Sequence, residues 1–227
     1  MFEHVHPYEP FLFPGATKLI VGTLPPPRFT TGELRKNDVD FCYGSCNGML
    51  WPILDRIFDL GLIYENSIEA IAQRKNFLIS QGIGVFDIVE SAQRVKVDAS
   101  DLGMQGVVLR DLVGPLLEYG NVDTLLFMGG NSKNGPEYFF RRQLKEKGLE
   151  FQVVSPEVPR IHQFGLSDPS NPKEKTRLIR TVSLTAPSGA ANRAVGSLMA
   201  YKELKAQNPS FSTLDFRVLQ YQAFFQG

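Results

Sequence analysis

Long apolar runs are missing from this chain: none approaches the roughly 18 residues that a membrane-spanning helix needs, so no membrane partner is expected. Cysteine is nearly absent. Cys42 and Cys46 are too few for a disulfide framework or a cysteine-ligated cluster, and free thiols in a reducing, cytoplasmic setting are expected. Histidine is scarce too, with only His4, His6 and His162. The His4-x-His6 spacing could touch a metal, but a mobile amino-terminal segment is the expected reading there. No metal or organic cofactor is implied. Charge of either sign is not in excess, with 24 basic against 24 acidic residues, which excludes a globally basic nucleic-acid coat but leaves room for a local patch. No basic region followed by an apolar core opens the chain, so no signal peptide is indicated. Internal repeats, heptads and low-complexity tracts are also lacking.

What is present suffices for one substantial core: 227 residues, 43% of them hydrophobic, read as a single α/β domain over 1–227. Its most informative stretch is Lys18 to Arg28. An apolar run, Lys18 to Val21, breaks at Gly22-Thr23-Leu24 into Pro25-Pro26-Pro27, the pattern of a buried strand ending in a rigid loop. Ligands bind at such carboxyl strand ends in open α/β sheets. Ahead of it, residues 1–16 form an extension rich in Pro, Phe and His. Residues 28–40 are polar and read as a long loop. Helical spacing of Leu50, Trp51, Leu54, Ile57 and Phe58 predicts a helix over 47–60, with Pro52 in its first turn and Asn47 or Ser45 as cap.

Further along, the pattern predicts a helix over 66–79, a buried strand over 81–89 interrupted by Asp87, and a helix over 107–119 after a polar segment, 90–101. A strand at 124–128 ends on Gly129-Gly130-Asn131, a helix spans 136–147, and a strand follows at 151–154. Residues 155–176 have no period and read as an irregular connection. A strand at 178–184 leads into Ala186-Pro187-Ser188-Gly189, then helices over 191–206 and 212–225. The alternation of strands and helices argues for a parallel-sheet α/β domain.

Four pieces, in order, resemble the uracil-DNA glycosylase superfamily, closest to its mismatch-specific and hypoxanthine (deoxyinosine) branch. They are Val21-Gly22-Thr23-Leu24-Pro25, the segment Tyr43 to Leu54, Gly82 to Val89, and Pro187 to Asn192. The resemblance implies a three-layer α/β/α fold around a short central parallel sheet. It implies a monomer that flips a deaminated base, uracil or hypoxanthine, out of damaged DNA and hydrolyses its N-glycosidic bond. The base would lie among Gly22, Thr23, Leu24, Pro25, Met128 and Asn131 and stack on Tyr43, because an unstacked base needs a new flat partner. Pro187 and Ser188 would grip a phosphate, with Gly189 and Ala190 at the tip that enters the duplex and Asn192 and Arg193 beside it. A basic run, Lys173, Lys175, Arg177 and Arg180, could add phosphate contacts.

The catalytic equipment departs from the pattern. Most branches carry an Asp or Asn in the first piece to position water; Leu24 stands there. Many have His or Asn ahead of the last Pro-Ser; Ala186 stands there. The hypoxanthine branch relies on an Asn in the aromatic segment, and Asn47 is one residue from that place, with Gly48 on it when Trp51 is aligned. Met128 takes the place of a pocket Asn. Asn47 is therefore the candidate catalytic residue. Two other readings stay open: a non-cleaving nucleobase- or nucleic-acid-binding member of the same fold, and an unrelated small-molecule α/β enzyme using Asp87 or His162 as acid–base group. For Asp87 the favoured reading is a structural carboxylate that accepts backbone N–H groups, since buried charges are usually paired.

Overall fold

A computed structural model describes residues 1–168 and 175–226. The chain opens with β1 (Phe2–Val5) and β2 (Lys18–Val21). Pro27 then starts a short helix, α1 (Pro27–Thr31), where its missing N–H costs nothing, and left-handed Gly32 stops it. Next come α2 (Leu50–Phe58) and α3 (Ile68–Ser80), the latter capped by the Ser67 hydroxyl. The strands β3 (Ile83–Val85), β4 (Val89–Arg94) and β5 (Met104–Leu109) precede α4 (Val113–Glu118). After β6 (Thr124–Phe127), Pro136 begins α5 (Pro136–Glu146). Three strands, β7 (Gln152–Ser155), β8 (Arg160–Leu166) and β9 (Arg177–Ser183), lead to α6 (Asn192–Ser197), α7 (Met199–Gln207) and α8 (Thr213–Phe225), whose start is a Ser212–Asp215 capping box.

The central sheet has six strands in the order β3-β2-β6-β9-β8-β7. The first four are parallel, and β8 and β7 extend the sheet antiparallel. Side chains alternate across it as the two-residue strand period requires. Leu19, Val21, Leu125 and Phe127 face one apolar cluster with residues of α4 and α5; Ile20, Leu126 and Val182 face the other, with residues of α2, α3 and α8. This is the expected three-layer α/β/α arrangement around a mostly parallel sheet. Beside it, β1, β4 and β5 form a small antiparallel sheet. No helix among the described residues is long and apolar enough to cross a membrane.

Several local expectations need correction. The amino-terminal segment is not mobile: β1 pairs with β4, and His4 and His6 are buried. The strand expected over 81–89 is two strands in different sheets, with Phe86-Asp87-Ile88 crossing between them. The polar segment 90–101 includes most of β4, whose buried positions are Val89, Ala92 and Arg94. The helix expected over 107–119 is β5 followed by α4: Val107 and Leu109 of the strand precede Leu112, Val113 and Leu116, and the junction mimics a helical period. The connection 155–176 contains β8, with His162, Phe164 and Leu166 pointing inward. The helix over 191–206 breaks at extended Leu198. Neither Asn47 nor Ser45 caps α2; Met49 holds that position without a side-chain bond.

Candidate functional site

The parallel strands β2, β6 and β9 all release their chains at one edge of the sheet, and the loops there surround a cavity of about 430 Å³. The loop after β2 supplies Gly22, Thr23, Leu24 and Pro25, Met128 follows directly on β6, and the segment after β9 supplies Ala186 to Ala190. Tyr43 and Asn47 come from the segment ahead of α2. Of the candidate residues, eleven therefore line one space: Gly22, Thr23, Leu24, Pro25, Tyr43, Asn47, Met128, Pro187, Ser188, Gly189 and Ala190. Asn131 does not; it lies beyond Met128 on the turn toward α5 and lines an adjoining cavity of about 370 Å³ that also borders Met128, Ala186 and Asp101.

Asp87 is the junction of the floor. Its Oδ1 accepts the Gly22 N–H (2.8 Å) and the Tyr43 hydroxyl (2.6 Å), and its Oδ2 accepts from His6 Nε2 (3.0 Å). Loss of water and the adjacent Asp87 charge push the Tyr43 phenol well above its ordinary range, so Tyr43 stays a neutral donor. Gly22 is required here. A Cβ at that position would run into the Tyr43 hydroxyl and lie 2.8 Å from Asp87 Oδ1. Tyr43 itself sits at φ 59°, a left-handed backbone that costs a non-glycine residue about 1 kcal/mol or more. Leu24 packs against the apolar cluster on the α4–α5 side, and its side chain has no polar atom to offer the cavity.

The aromatic segment is braced from below. Buried Asp38 takes a two-pronged contact from Arg28, at 2.7 Å on each oxygen, and the N–H groups of Arg35 and Cys46, each at 2.8 Å. Burial alone would raise the Asp38 pKa, but these donors outweigh it and hold the carboxyl below its usual range. Arg28 also donates to Ser45 Oγ (2.8 Å), and the Ser45 hydroxyl accepts the Asn47 N–H (3.3 Å). Asn47 is exposed at the rim, with Cys46 Sγ 3.9 Å from its side-chain oxygen. Cys42 is buried, Cys46 exposed, and both are free thiols.

Arg217 organises the opposite wall. This fully buried guanidinium donates to the carbonyls of Ala186 (2.9 Å) and Ser188 (3.1 Å) and to Asn192 Oδ1 (2.8 Å). The Asn192 oxygen also accepts from Thr213, so that side chain is engaged inward, whereas Arg193 is exposed. The two walls are clipped together: the Met49 N–H donates to the Pro187 carbonyl (2.9 Å), and Gly48 pairs with Ser188. Asp38 and Arg217 carry no motif. Their signal in the sequence is a charged residue inside an otherwise local pattern, which says nothing about its partner.

The other candidates lie elsewhere. His162 is buried against Phe151, stacked at 4.4 Å, with Nε2 2.7 Å from Arg141, and it does not line the cavity. Arg177 and Arg180 sit on β9 toward its amino end, opposite the cavity edge, and Arg177 donates to the carbonyls of Leu116, Gly120 and Val122. Lys173 lies outside the described residues. Among the described residues, no group of three or more His, Cys, Asp or Glu side chains could hold a metal ion.

A second acidic residue, besides Asp38, had no place in any motif. Asp101 opens a short turn, Asp101–Gly103, between β4 and β5 and lines both cavities. Its Oδ1 accepts the Thr23 hydroxyl at 2.7 Å, and burial raises its pKa above the ordinary carboxylate value.

No protein-family model matches the sequence, and no curated protein matches it. Among solved structures, the chain is similar to a solution NMR structure from Methanosarcina acetivorans described as a "putative Uracil DNA glycosylase", with 14% identity over 99% of this chain and 98% of that one and a TM-score of 0.56. At that identity the likeness is one of architecture, and over essentially its whole length this chain has the mixed α/β fold of that structure.

Proposed function

We propose that this chain is a DNA glycosylase of the uracil-DNA glycosylase superfamily that removes a deaminated base, uracil or hypoxanthine, by hydrolysis of its N-glycosidic bond. The observation that carries the reading is convergence. Four segments far apart in sequence, each singled out for a base or a phosphate, meet around one cavity at the carboxyl strand ends. In this reading the flipped base stacks on Tyr43 and bonds to backbone around Gly22 and Thr23. Fixing Tyr43 through Asp87 means the stacking face is in place before DNA arrives, which spares ordering cost on binding. Pro187 and Ser188 hold the phosphate, and Gly189 and Ala190 enter the gap that the base leaves. Arg193 stands beside that tip for a backbone phosphate. Asn47, at the rim, orients the attacking water.

The test uses duplexes carrying uracil, hypoxanthine or xanthine, followed by alkali to reveal abasic sites. Strand cleavage with at least one of them is expected, and Tyr43→Ala and Asn47→Ala should each slow single-turnover excision. Binding should weaken steeply with added salt, because phosphate contacts release counterions. Binding without cleavage of any duplex would instead make the chain a non-cleaving member of the fold. Neither binding nor cleavage would leave only the small-molecule reading.

A further inference from the structure

Hydrolysis needs a group that can receive the proton of water, and an asparagine cannot. Around the main cavity the side chains able to do so are the two carboxylates, Asp87 and Asp101. Asp87 is committed: both its oxygens serve donors, three in all, from Gly22, Tyr43 and His6. Asp101 accepts one side-chain hydrogen bond, on Oδ1, from Thr23. That donor belongs to the very loop in which Leu24 stands.

We propose that Asp101, delivered from the β4–β5 connection and aimed by Thr23, is the carboxylate that takes the proton from the attacking water. The assignment rests on the glycosylase reading above. Its placement is rigid on three sides. The Asn134 amide donates to the Asp101 carbonyl (2.9 Å) and the Met104 carbonyl (3.0 Å), pinning the turn. Arg94, fully buried on β4, donates to the Ser100 carbonyl (2.6 Å) just ahead of it and to His4 Nδ1 (2.7 Å). Thr23 holds the carboxylate itself.

In the step, the C1′–N bond breaks with its electron pair going to the base. The water oxygen bonds to C1′, and a water proton passes to Asp101. The departing base anion takes a proton from solvent, and Asp101 returns its own to solvent, so the net change is hydrolysis. Burial raises the Asp101 pKa, Thr23 and Arg94 act against it, and the charge of Asp87 adds to it. A carboxylate of raised pKa is the stronger base, provided it is ionised at working pH. Other charged groups around it are Asp98, on the same connection and 3.7 Å from Arg94, Arg28, which lines the same cavity, and Arg160, which lines the adjoining one.

The experiment is single-turnover excision, against pH, on whichever of the uracil, hypoxanthine and xanthine duplexes the unaltered protein cuts. Asp101→Asn keeps the shape and can still accept from Thr23. It should lower the chemical step by about 100-fold or more while duplex affinity stays within about threefold, the size of a lost general base. The acid limb of the rate profile should vanish with it. Thr23→Val keeps the carboxylate but removes its donor, so the limb should move to higher pH with a smaller loss of rate. It also keeps the test open if Asp101→Asn folds poorly. An Asp101→Asn protein that cuts within about threefold of the unaltered rate, or a Thr23→Val limb that does not move, overturns the assignment and leaves the glycosylase reading intact. An unaltered protein that cuts none of the three duplexes overturns both.

Discussion

Replacing Asp87 by alanine removes one carboxylate and strands three donors that come from three parts of the chain. These are the Gly22 N–H at 2.8 Å, the Tyr43 hydroxyl at 2.6 Å and His6 Nε2 at 3.0 Å. Hydrogen bonds to a charged acceptor contribute about 1.5–3 kcal/mol each, so simple addition would give about 4.5–9 kcal/mol. That sum is too large. Asp87 lines an open cavity, so water can reach the Gly22 and Tyr43 donors once the carboxylate is gone. His6 is buried away from it. The expected cost is therefore about 3–5 kcal/mol, the range for breaking a buried charged contact on one side. Asp87→Asn keeps one oxygen for Gly22 and Tyr43 and loses only the contact to His6, so about 1–2 kcal/mol is expected. Urea unfolding at equilibrium reads both: the midpoint for Asp87→Ala should fall by about 1–3 M with the slope unchanged. A loss below about 1 kcal/mol for the alanine variant, or equal losses for Ala and Asn, would refute the view of Asp87 as the junction of the floor.

Three further outcomes follow from the same geometry. Gly22→Ala should cost about 2–4 kcal/mol, since the added methyl must displace the Tyr43 hydroxyl from Asp87, and should also abolish base capture; thermal melting and duplex binding read the two effects. Arg217→Met, close in volume, should cost about 1–3 kcal/mol by taking one donor each from the Ala186 and Ser188 carbonyls and the Asn192 oxygen, which keep only the Ser188 N–H, the Ala191 N–H and the Thr213 hydroxyl, with proteolysis first appearing in the 186–192 segment. Acid should destabilise the protein through His4, whose pKa burial and nearby Arg94 push down from 6.5 to about 4. The unfolded chain takes up that proton first. Stability therefore falls as pH drops from about 6.5 to about 4, by up to about 1.4 kcal/mol per pH unit, and His4→Asn should flatten that slope in denaturation at stepped pH.

The strand ends were legible because they are made of local chemistry. A buried apolar run closed by Gly22 and a proline triplet can be read without knowing any neighbour, and the same holds for β6, β9 and the capped α8. Of the antiparallel strands, β7 was expected at 151–154, but β4 and β8 were hidden for a different reason. In β8 the inward positions are His162, Phe164 and Leu166, an alternation broken on paper because histidine counts as polar, while in the fold it stacks on Phe151. In β4 an inward position is Arg94, whose burial is satisfied by His4 and Ser100 from outside its own strand. The site divides in the same way. Its loops could be read from composition, but Asp101 acts through Thr23, 78 residues away, and Arg217 through the Ala186 and Ser188 carbonyls, 31 and 29 residues away, and pairing at that range leaves no trace in a single sequence. Asp38 pairs within ten residues, with Arg28, Arg35 and Cys46, but across an irregular loop that has no period to announce it. Asp87 is intermediate: a charge inside an apolar run announces that partners exist without naming them.

The clip between Met49 and Pro187, with Gly48 paired to Ser188, joins the wall that would face a base, on the proposed reading, to the wall that would face a phosphate. Two such surfaces on independent loops could each fill on their own terms. Joined by main-chain hydrogen bonds, they share one conformational equilibrium, and linkage then works in both directions. Whatever factor a seated phosphate adds to the affinity for a base, a seated base must add to the affinity for the phosphate. A free nucleobase would collect none of that coupling, and neither would an intact strand with nothing flipped out. Discrimination between damaged DNA and either of its parts would thus be built into two peptide groups, with no side chain required to read the difference.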